Sequence, residues 1–432
     1  MKIRIRNVKI ETMEEGKPVF LGELRTNDDQ ITYVGPQKED GESFDRTIDG
    51  RKNLILPGFK NAHTHSPMTF LRSYADDLPL LDWLNQQVFP MEAQLRKKDI
   101  GPLTKLAILE YLTSGITACF DMYLFPKEAA QAAAQSGFRM VLCGSVNDFT
   151  SSPEELSEDH KTFNHFDPLI THQLGFHAEY TTAPERMKKI AKLAYEFEAP
   201  VYVHNSESVS EVEQCKERTG MTPTAFMDSL HLFDFGGGGF HCVHMTPQDL
   251  DICVKRGISV ITNPASNAKL ASGIAPLCEM EKRKINLAIG TDGPASNNCL
   301  DMFREMFLTT ALQKLSLNDA SAMDANTVLR MATVGGAKAM RLSNCETLSP
   351  GQQADLIMID LHQPNMQPEN NLLKNLVYSG SKQNVKMTMV AGKILYEDGK
   401  FSIGEDPEDI YQKANEIIAE KKEMAQQTAK NK

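Results

Sequence analysis

The chain has 432 residues, 41% of them hydrophobic and 24% charged, which is enough for one large core and a smaller module beside it. A formal net charge of -11 argues against nucleic acid or an anionic membrane as the main partner, because both repel an acidic surface. The opening run Met1-Lys2-Ile3-Arg4-Ile5-Arg6 alternates charged and apolar residues, unlike a secretory signal, and no apolar run approaches the ~20 residues of a membrane span, so a cytoplasmic location and a small-molecule partner are expected.

Residues 1–57 read as short strands, with Ile3, Ile5 and Val8 interleaved among basic residues and turns at Asn27-Asp28-Asp29 and Gly35-Pro36. From Leu54 onward the pattern changes. Eight apolar strand candidates, at 54–59, 116–121, 139–143, 174–177, 201–204, 239–243, 259–261 and 287–291, are separated by helical stretches. Helices are predicted over 103–113, over 185–197 and from Thr246-Pro247. The glycine run Gly236 to Gly239 lacks a phosphate-loop Lys-Ser/Thr signature and reads as a turn.

Eight alternating units predict an α/β fold, a (β/α)8 TIM barrel over 58–348. Strand-like runs return over 349–405 and are expected to pair with residues 1–57 in one small β-sandwich domain. Residues 406–432 read as a charged C-terminal helix whose stripe of Ile410, Ala414 and Ile417 suits packing on a surface or on a partner subunit, and a homodimer or higher homo-oligomer stays open. The eight cysteines form no Cys-x-x-Cys pair, and several sit in apolar runs, which fits buried reduced thiols.

The histidines fall at strand ends. His63 and His65 close the first strand, His177 the fourth, His204 the fifth and His241 the sixth, and Asp292 follows the eighth. Strand C-termini converge on one mouth of a barrel, so these side chains meet there. Side chains two apart share a face, so His63 and His65 can grip one ion while His204 and Asp292 arrive from other strands. Nitrogen and oxygen donors with room for water suit a catalytic metal, so a metallohydrolase is expected. A lone histidine on an apolar strand is more often structural, but a whole set at one rim reverses that preference. Glu207 stands near the metal without being a ligand and can shuttle a proton from water to a ring nitrogen, while His241 and Asp292 position and deprotonate that water. A solvated loop carboxylate is the plainer alternative for Glu207. Strand four offers no lysine for a bridging ligand, which favours one metal: a single divalent ion, zinc first, with iron or manganese accepted by the same donors.

On these residues the chain resembles the amidohydrolase superfamily, and within it the aromatic aminohydrolases that include methylthioadenosine/S-adenosylhomocysteine deaminases and chlorotriazine hydrolases. The likeness covers nearly the whole chain. It rests on Leu56-Pro57-Gly58-Phe59-Lys60-Asn61-Ala62-His63-Thr64-His65, Ala75-Asp76-Asp77-Leu78-Pro79-Leu80, the stretch from Asn263-Pro264-Ala265-Ser266-Asn267 to Gly273, and Thr291-Asp292-Gly293-Pro294-Ala295-Ser296-Asn297-Asn298. The resemblance implies one metal on His63, His65, His204 and Asp292, with Glu207 as proton shuttle and His241 orienting the water. It also implies that His177 touches the substrate and that Trp83, the only tryptophan, covers it. The implied activity is hydrolytic deamination of an amino-substituted N-heteroaromatic ring. Alternatives are the same chemistry on guanine, pterin or triazine rings, dechlorination included, and a non-catalytic metal-bound ligand-binding protein. Relatives usually read His-Ala-Pro-Tyr after strand four and carry an arginine after strand three. This chain has His177-Ala178-Glu179-Tyr180 and Cys143-Gly144-Ser145, so Glu179 is expected to add a carboxylate at the pocket and an anionic substrate tail is less welcome. A plainer role for Glu179 is pairing with a nearby base such as Arg186.

Overall fold

The computed structural model describes residues 1–78 and 80–430. Pro79 of the Ala75 to Leu80 stretch, and Asn431 and Lys432 of the expected C-terminal helix, lie outside the described residues.

Eight strands form a parallel sheet in sequence order: Phe59–Thr64, Ile116–Met122, Arg139–Cys143, Ile170–Ala178, Val201–Asn205, Gly237–His241, Ile258–Thr262 and Leu287–Ile289. The first and last meet where the Asp292 N–H donates to the His63 carbonyl at 3.0 Å and the Asn61 side chain bonds both the N–H and the hydroxyl of Thr291. The result is the expected barrel. Ala62, Phe120, Val141, Tyr202, Phe240, Ile261 and Ala288 fill its interior, while the outer strand faces join the larger core beneath the helices. Alternate residues of each strand thus serve two cores. Helices Lys97–Thr113, Pro184–Phe197 and Pro247–Arg256 contain the predicted segments, and the last is capped reciprocally by Thr246 and Asp249.

Two local expectations are corrected. The run Leu54–Pro57 is not part of the first barrel strand: it pairs with Lys2–Ile10 and Leu356–Ile359 in a second sheet, and Gly58 separates it from Phe59–Thr64. The glycine run is largely strand. A Cβ on Gly237 would lie 2.0 Å from the Val201 carbonyl oxygen, and one on Gly238 would lie 2.5 Å from the Tyr202 ring. Glycine lets the fifth and sixth strands pair with Tyr202 folded between them.

The second sheet has nine strands drawn from both chain termini, ordered Lys400–Phe401, Lys393–Glu397, Val385–Val390, Leu356–Ile359, Leu54–Pro57, Lys2–Ile10, Phe20–Asn27 and Gln30–Gly35, with Arg46–Asp49 paired beside Lys2–Ile10. It encloses its own core of Ile3, Ile5, Leu24, Ile55, Leu356 and Met389. The C-terminal helix Pro407–Lys430 packs on Lys97–Thr113 of its own chain, burying Ile410, Ala414 and Ile417 and a Lys421–Asp99 ion pair at 2.8 Å. Among the described residues no helix is long and apolar enough to cross a membrane.

Candidate active site

The first barrel strand departs from regular pairing between Asn61 and Thr64, and the chain turns immediately after Thr64 into the short helix Ser66–Leu71. His63 lies within this irregular stretch and His65 just past the strand end, at the barrel mouth. His241 and Asp292 reach it through left-handed backbone, with φ of 68° and 58°. Such conformations cost about 1–3 kcal/mol each for residues other than glycine and persist where the surroundings impose them.

The imidazoles are oriented from behind. The Nδ1–H of His65 donates to the Met122 carbonyl, that of His204 to the His177 carbonyl at 2.6 Å, and that of His241 to the Asn267 Oδ1 at 2.7 Å. Each acceptor is an oxygen without a proton, so each Nδ1 carries one, which leaves the Nε2 of neutral His204 and His241 with a lone pair. These lone pairs face inward. His204 Nε2 lies 3.1 Å from His63 Nε2, and Asp292 Oδ1 lies 3.2 Å from His65 Nε2 and 3.6 Å from His63 Nε2. Ligand atoms of His63, His204 and His241, and of His63, His65 and Asp292, fall within 4.8 Å of one another.

Imidazole nitrogens and a carboxylate gathered this closely in a buried site are suited to hold a cation among them. The titration tendencies point the same way. Burial, with the neighbouring histidines, drives His63 and His204 well below the ordinary imidazole range. Burial opposes charge on His65 too, yet the adjoining Asp292 carboxylate outweighs it and pushes that imidazole up to about 9. Burial likewise works against ionised Asp292, but the histidines hold it well below the usual carboxylate range. The anion therefore demands a positive neighbour. With one carboxylate and several imidazole nitrogens as donors, the residues fit a divalent metal.

Asp292 is held by further donors. Its Oδ2 accepts from the hydroxyls of Ser266 at 2.5 Å and Ser296 at 2.8 Å, and its Oδ1 from the Gly293 N–H at 2.7 Å. Glu207 lies beside the cluster with Oε2 at 3.8 Å from His241 Nε2, and Ser272 donates to its Oε1 at 3.2 Å. Burial and the Asp292 charge raise its pKa despite nearby imidazoles. A carboxyl kept close to its protonated form can both take up and release a proton.

His63 lies at the base of this cluster, stacked on Phe240 at 3.8 Å between ring centres, and its buried Nδ1 has no hydrogen-bond partner among the described residues.

The metal-facing atoms open into a cavity of about 610 Å3. His65, His204, Glu207, His241 and Asp292 form its floor, and Trp83, Met68, Leu84, Met122, His177 and Tyr180 line its walls. Trp83 is buried against the cavity from the segment Leu80–Trp83. His177 shares a hydrogen bond with the Thr181 hydroxyl at 2.9 Å, and burial lowers its pKa to about 4. Glu179 is not among the lining residues. Its buried carboxylate accepts two hydrogen bonds from Arg218, at 2.6 and 2.8 Å, which corrects the expectation that it adds charge to the pocket. The base that neutralises it is Arg218, since Arg186 pairs with Asp148.

Several residues at the site gave no sequence signal. Glu92, Tyr123 and Phe149 line the cavity from loops and a short helix whose convergence is tertiary. Burial pushes the Glu92 carboxyl up to about 7. Glu211 had a weak signal, because it stands three residues after Ser208 in a capping pattern. Its carboxylate instead accepts the N–H groups of Ser206 at 2.9 Å and Glu207 at 2.7 Å, fixing the turn that presents Glu207.

Comparison with known proteins gives the arrangement its place. A curated 5-methylthioadenosine/S-adenosylhomocysteine deaminase of Desulfovibrio desulfuricans is 42% identical over 392 residues, covering 89% of this chain and 87% of that protein. One of the same name from Thermoanaerobacter pseudethanolicus is 37% identical over 407 residues, covering 92% of this chain and 94% of that protein. The crystal structure of an adenosine deaminase from Xanthomonas campestris with bound zinc superposes with a TM-score of 0.92 at 33% identity, covering 98% of each chain. The sequence model of the amidohydrolase family matches residues 54–395, and the chain belongs to that family.

Proposed function

We propose that this protein is a metal-dependent hydrolytic deaminase of amino-substituted N-heteroaromatic rings of the adenosine and methylthioadenosine type. The observation that carries the reading is the convergence, in one largely apolar cavity, of imidazole Nε2 atoms oriented from behind, the Asp292 carboxylate, and Glu207 with its raised pKa. His63, His65, His204 and Asp292 would hold a divalent ion, which when bound supplies a Lewis acid and a water activated near neutral pH. Zinc is the preferred ion, a choice supported by the zinc bound in the related adenosine deaminase.

The chain's own groups account for the remaining steps. His241, its Nδ1–H fixed by Asn267, keeps Nε2 toward the attacking water. Glu207 takes a proton from that water and delivers it to the ring nitrogen beside the amino-bearing carbon. Oxygen bonds to that carbon, the remaining hydroxyl proton passes through Glu207 to the amino nitrogen, and the carbon–nitrogen bond breaks as the carbonyl forms, so that the nitrogen departs as ammonia. Trp83 and His177 bound the ring, and Glu92 offers acceptor oxygens to hydroxyls on the rest of the substrate. Eight unpaired cysteines support a reducing, cytoplasmic setting.

The test is ammonia release by zinc-loaded protein from adenosine, methylthioadenosine, S-adenosylhomocysteine, guanine, aminopterins and aminotriazines, with Glu207→Gln as control. Release from the nucleosides that disappears in the control is expected. Chloride released from a chlorotriazine without ammonia from any substrate would replace this reading with dechlorination, and silence with metal bound would leave a ligand-binding protein.

A further inference from the structure

Resting on that reading, we propose that the cavity selects nucleosides with an uncharged, apolar tail and rejects those whose tail carries an anion, with Phe149 as the specificity-determining residue at the mouth. The cavity lining has carboxyl groups, from Glu92, Glu207 and Asp292, but among the described residues no guanidinium or ammonium.

Two arginines on elements that follow the lining loops are already committed. Arg186 pairs with Asp148 at 2.9 Å and donates to the Ser151 carbonyl, and Arg218 is held by Glu179. A carboxylate or phosphate entering at this rim would lose water and find no guanidinium or ammonium in the described lining to replace it.

The mouth offers apolar contact in place of charge. Phe149 follows the third barrel strand and is 83% exposed while still lining the cavity. Its loop is held in shape from within. Asn147 Oδ1 accepts the N–H groups of Phe149 at 2.8 Å and Thr150 at 2.9 Å, and Asn147 Nδ2 donates to the Thr150 hydroxyl at 2.8 Å. An aromatic ring exposed to water at a cavity mouth gains by being covered. An alkylthio group covers it with polarisable, apolar surface and makes a favourable sulfur–aromatic contact.

The test compares kcat/KM for 5′-methylthioadenosine, adenosine, adenosine 5′-phosphate and S-adenosylhomocysteine with the zinc-loaded full chain. It also compares equilibrium Kd values of the same compounds for Glu207→Gln protein, which binds without turnover. Methylthioadenosine should exceed adenosine by about 10-fold or more in kcat/KM, and the two compounds whose tails carry a carboxylate or phosphate by more than that, with Kd lower by the same factors. Phe149→Ala should remove most of the advantage over adenosine, mainly through KM, and Phe149→Arg should raise kcat/KM for adenosine 5′-phosphate. An unchanged Tm would show that both variants fold, as exposure of the side chain predicts. Turnover of S-adenosylhomocysteine or adenosine 5′-phosphate at or above the methylthioadenosine rate would overturn the proposal while leaving the deaminase reading intact. Ammonia from none of the four would end both.

Discussion

The two ends of the barrel bury charge in opposite ways. Toward the second sheet, Lys60 donates from Nζ to the Gly58 carbonyl and the Thr117 hydroxyl, both at 2.8 Å. Nearby, Arg139 grips Asp355 through two nitrogens at 2.7 and 3.1 Å, and the Ala391 N–H completes that carboxylate at 2.7 Å. Each buried group there has its complement within the chain. At the mouth, His63 and His204 meet through Nε2 at 3.1 Å, and Asp292 faces imidazoles where Asp355 faces a guanidinium. One end is complete as folded, and the other is built to be completed by something else. Buried charge by itself therefore does not mark a functional site, whereas buried charge arranged without its complement does.

That contrast can be broken by experiment. Glu207→Gln should lower ammonia release by about 10²–10⁴-fold with little change in Tm, because a proton carrier is lost and the shape is kept. A comparable loss of Tm would mean that Glu207 serves the fold. At the other end, Asp355→Ala should cost about 3–5 kcal/mol of stability in denaturant melts by stranding the Arg139 charge, while zinc bound per folded molecule stays the same. Asn267→Ala frees the His241 ring and should lower ammonia release by about 10–100-fold at unchanged zinc content, an effect no variant at the sheet end should share.

The smallest effect concerns pH. Burial raises Glu305, behind the site, from 4.5 to about 8, although it accepts from the Ala265 N–H and the Asn297 amide. The folded protein then holds this proton more tightly than the unfolded chain, so the associated stability is full below 4.5 and is lost as pH rises toward about 8. Tm of the native chain relative to Glu305→Gln should fall across that window. Asp355 has the reverse sign. Burial opposes its ionisation but Arg139 prevails and lowers its pKa, so its contribution is lost as pH falls. Parallel pH trends for Glu305→Gln and Asp355→Asn would contradict the contrast between the two ends.

Much of this was legible from periodicity. Eight apolar runs separated by helical stretches suffice for a barrel, and histidines at strand ends suffice to locate its mouth. What periodicity lacks is partnership. Leu54–Pro57 and Phe59–Thr64 are both buried and nearly contiguous, and only pairing assigns one to the second sheet and the other to the barrel. The glycine run reads as a turn until the Tyr202 ring that requires it is beside it. Glu179 looks like a pocket charge because its partner, Arg218, is 39 residues away. Glu92 and Phe149 lie in segments without a repeating pattern, so their approach to the cavity depends on how those segments fold back.

The second sheet also bears on how the molecule forms. Its central strands, Lys2–Ile10 and Leu54–Pro57, are adjacent early in the chain, but the next strand on the Leu54–Pro57 side is Leu356–Ile359, with the whole barrel between them in sequence. During synthesis Leu54–Pro57 presents an open strand edge until that distant segment emerges. Closing so long a loop makes folding slow, and an open edge invites pairing with other chains. Because the same peptide leads through Gly58 into the strand bearing His63, assembly of the metal-facing cluster and closure of the sheet are expected to share one late, cooperative folding step.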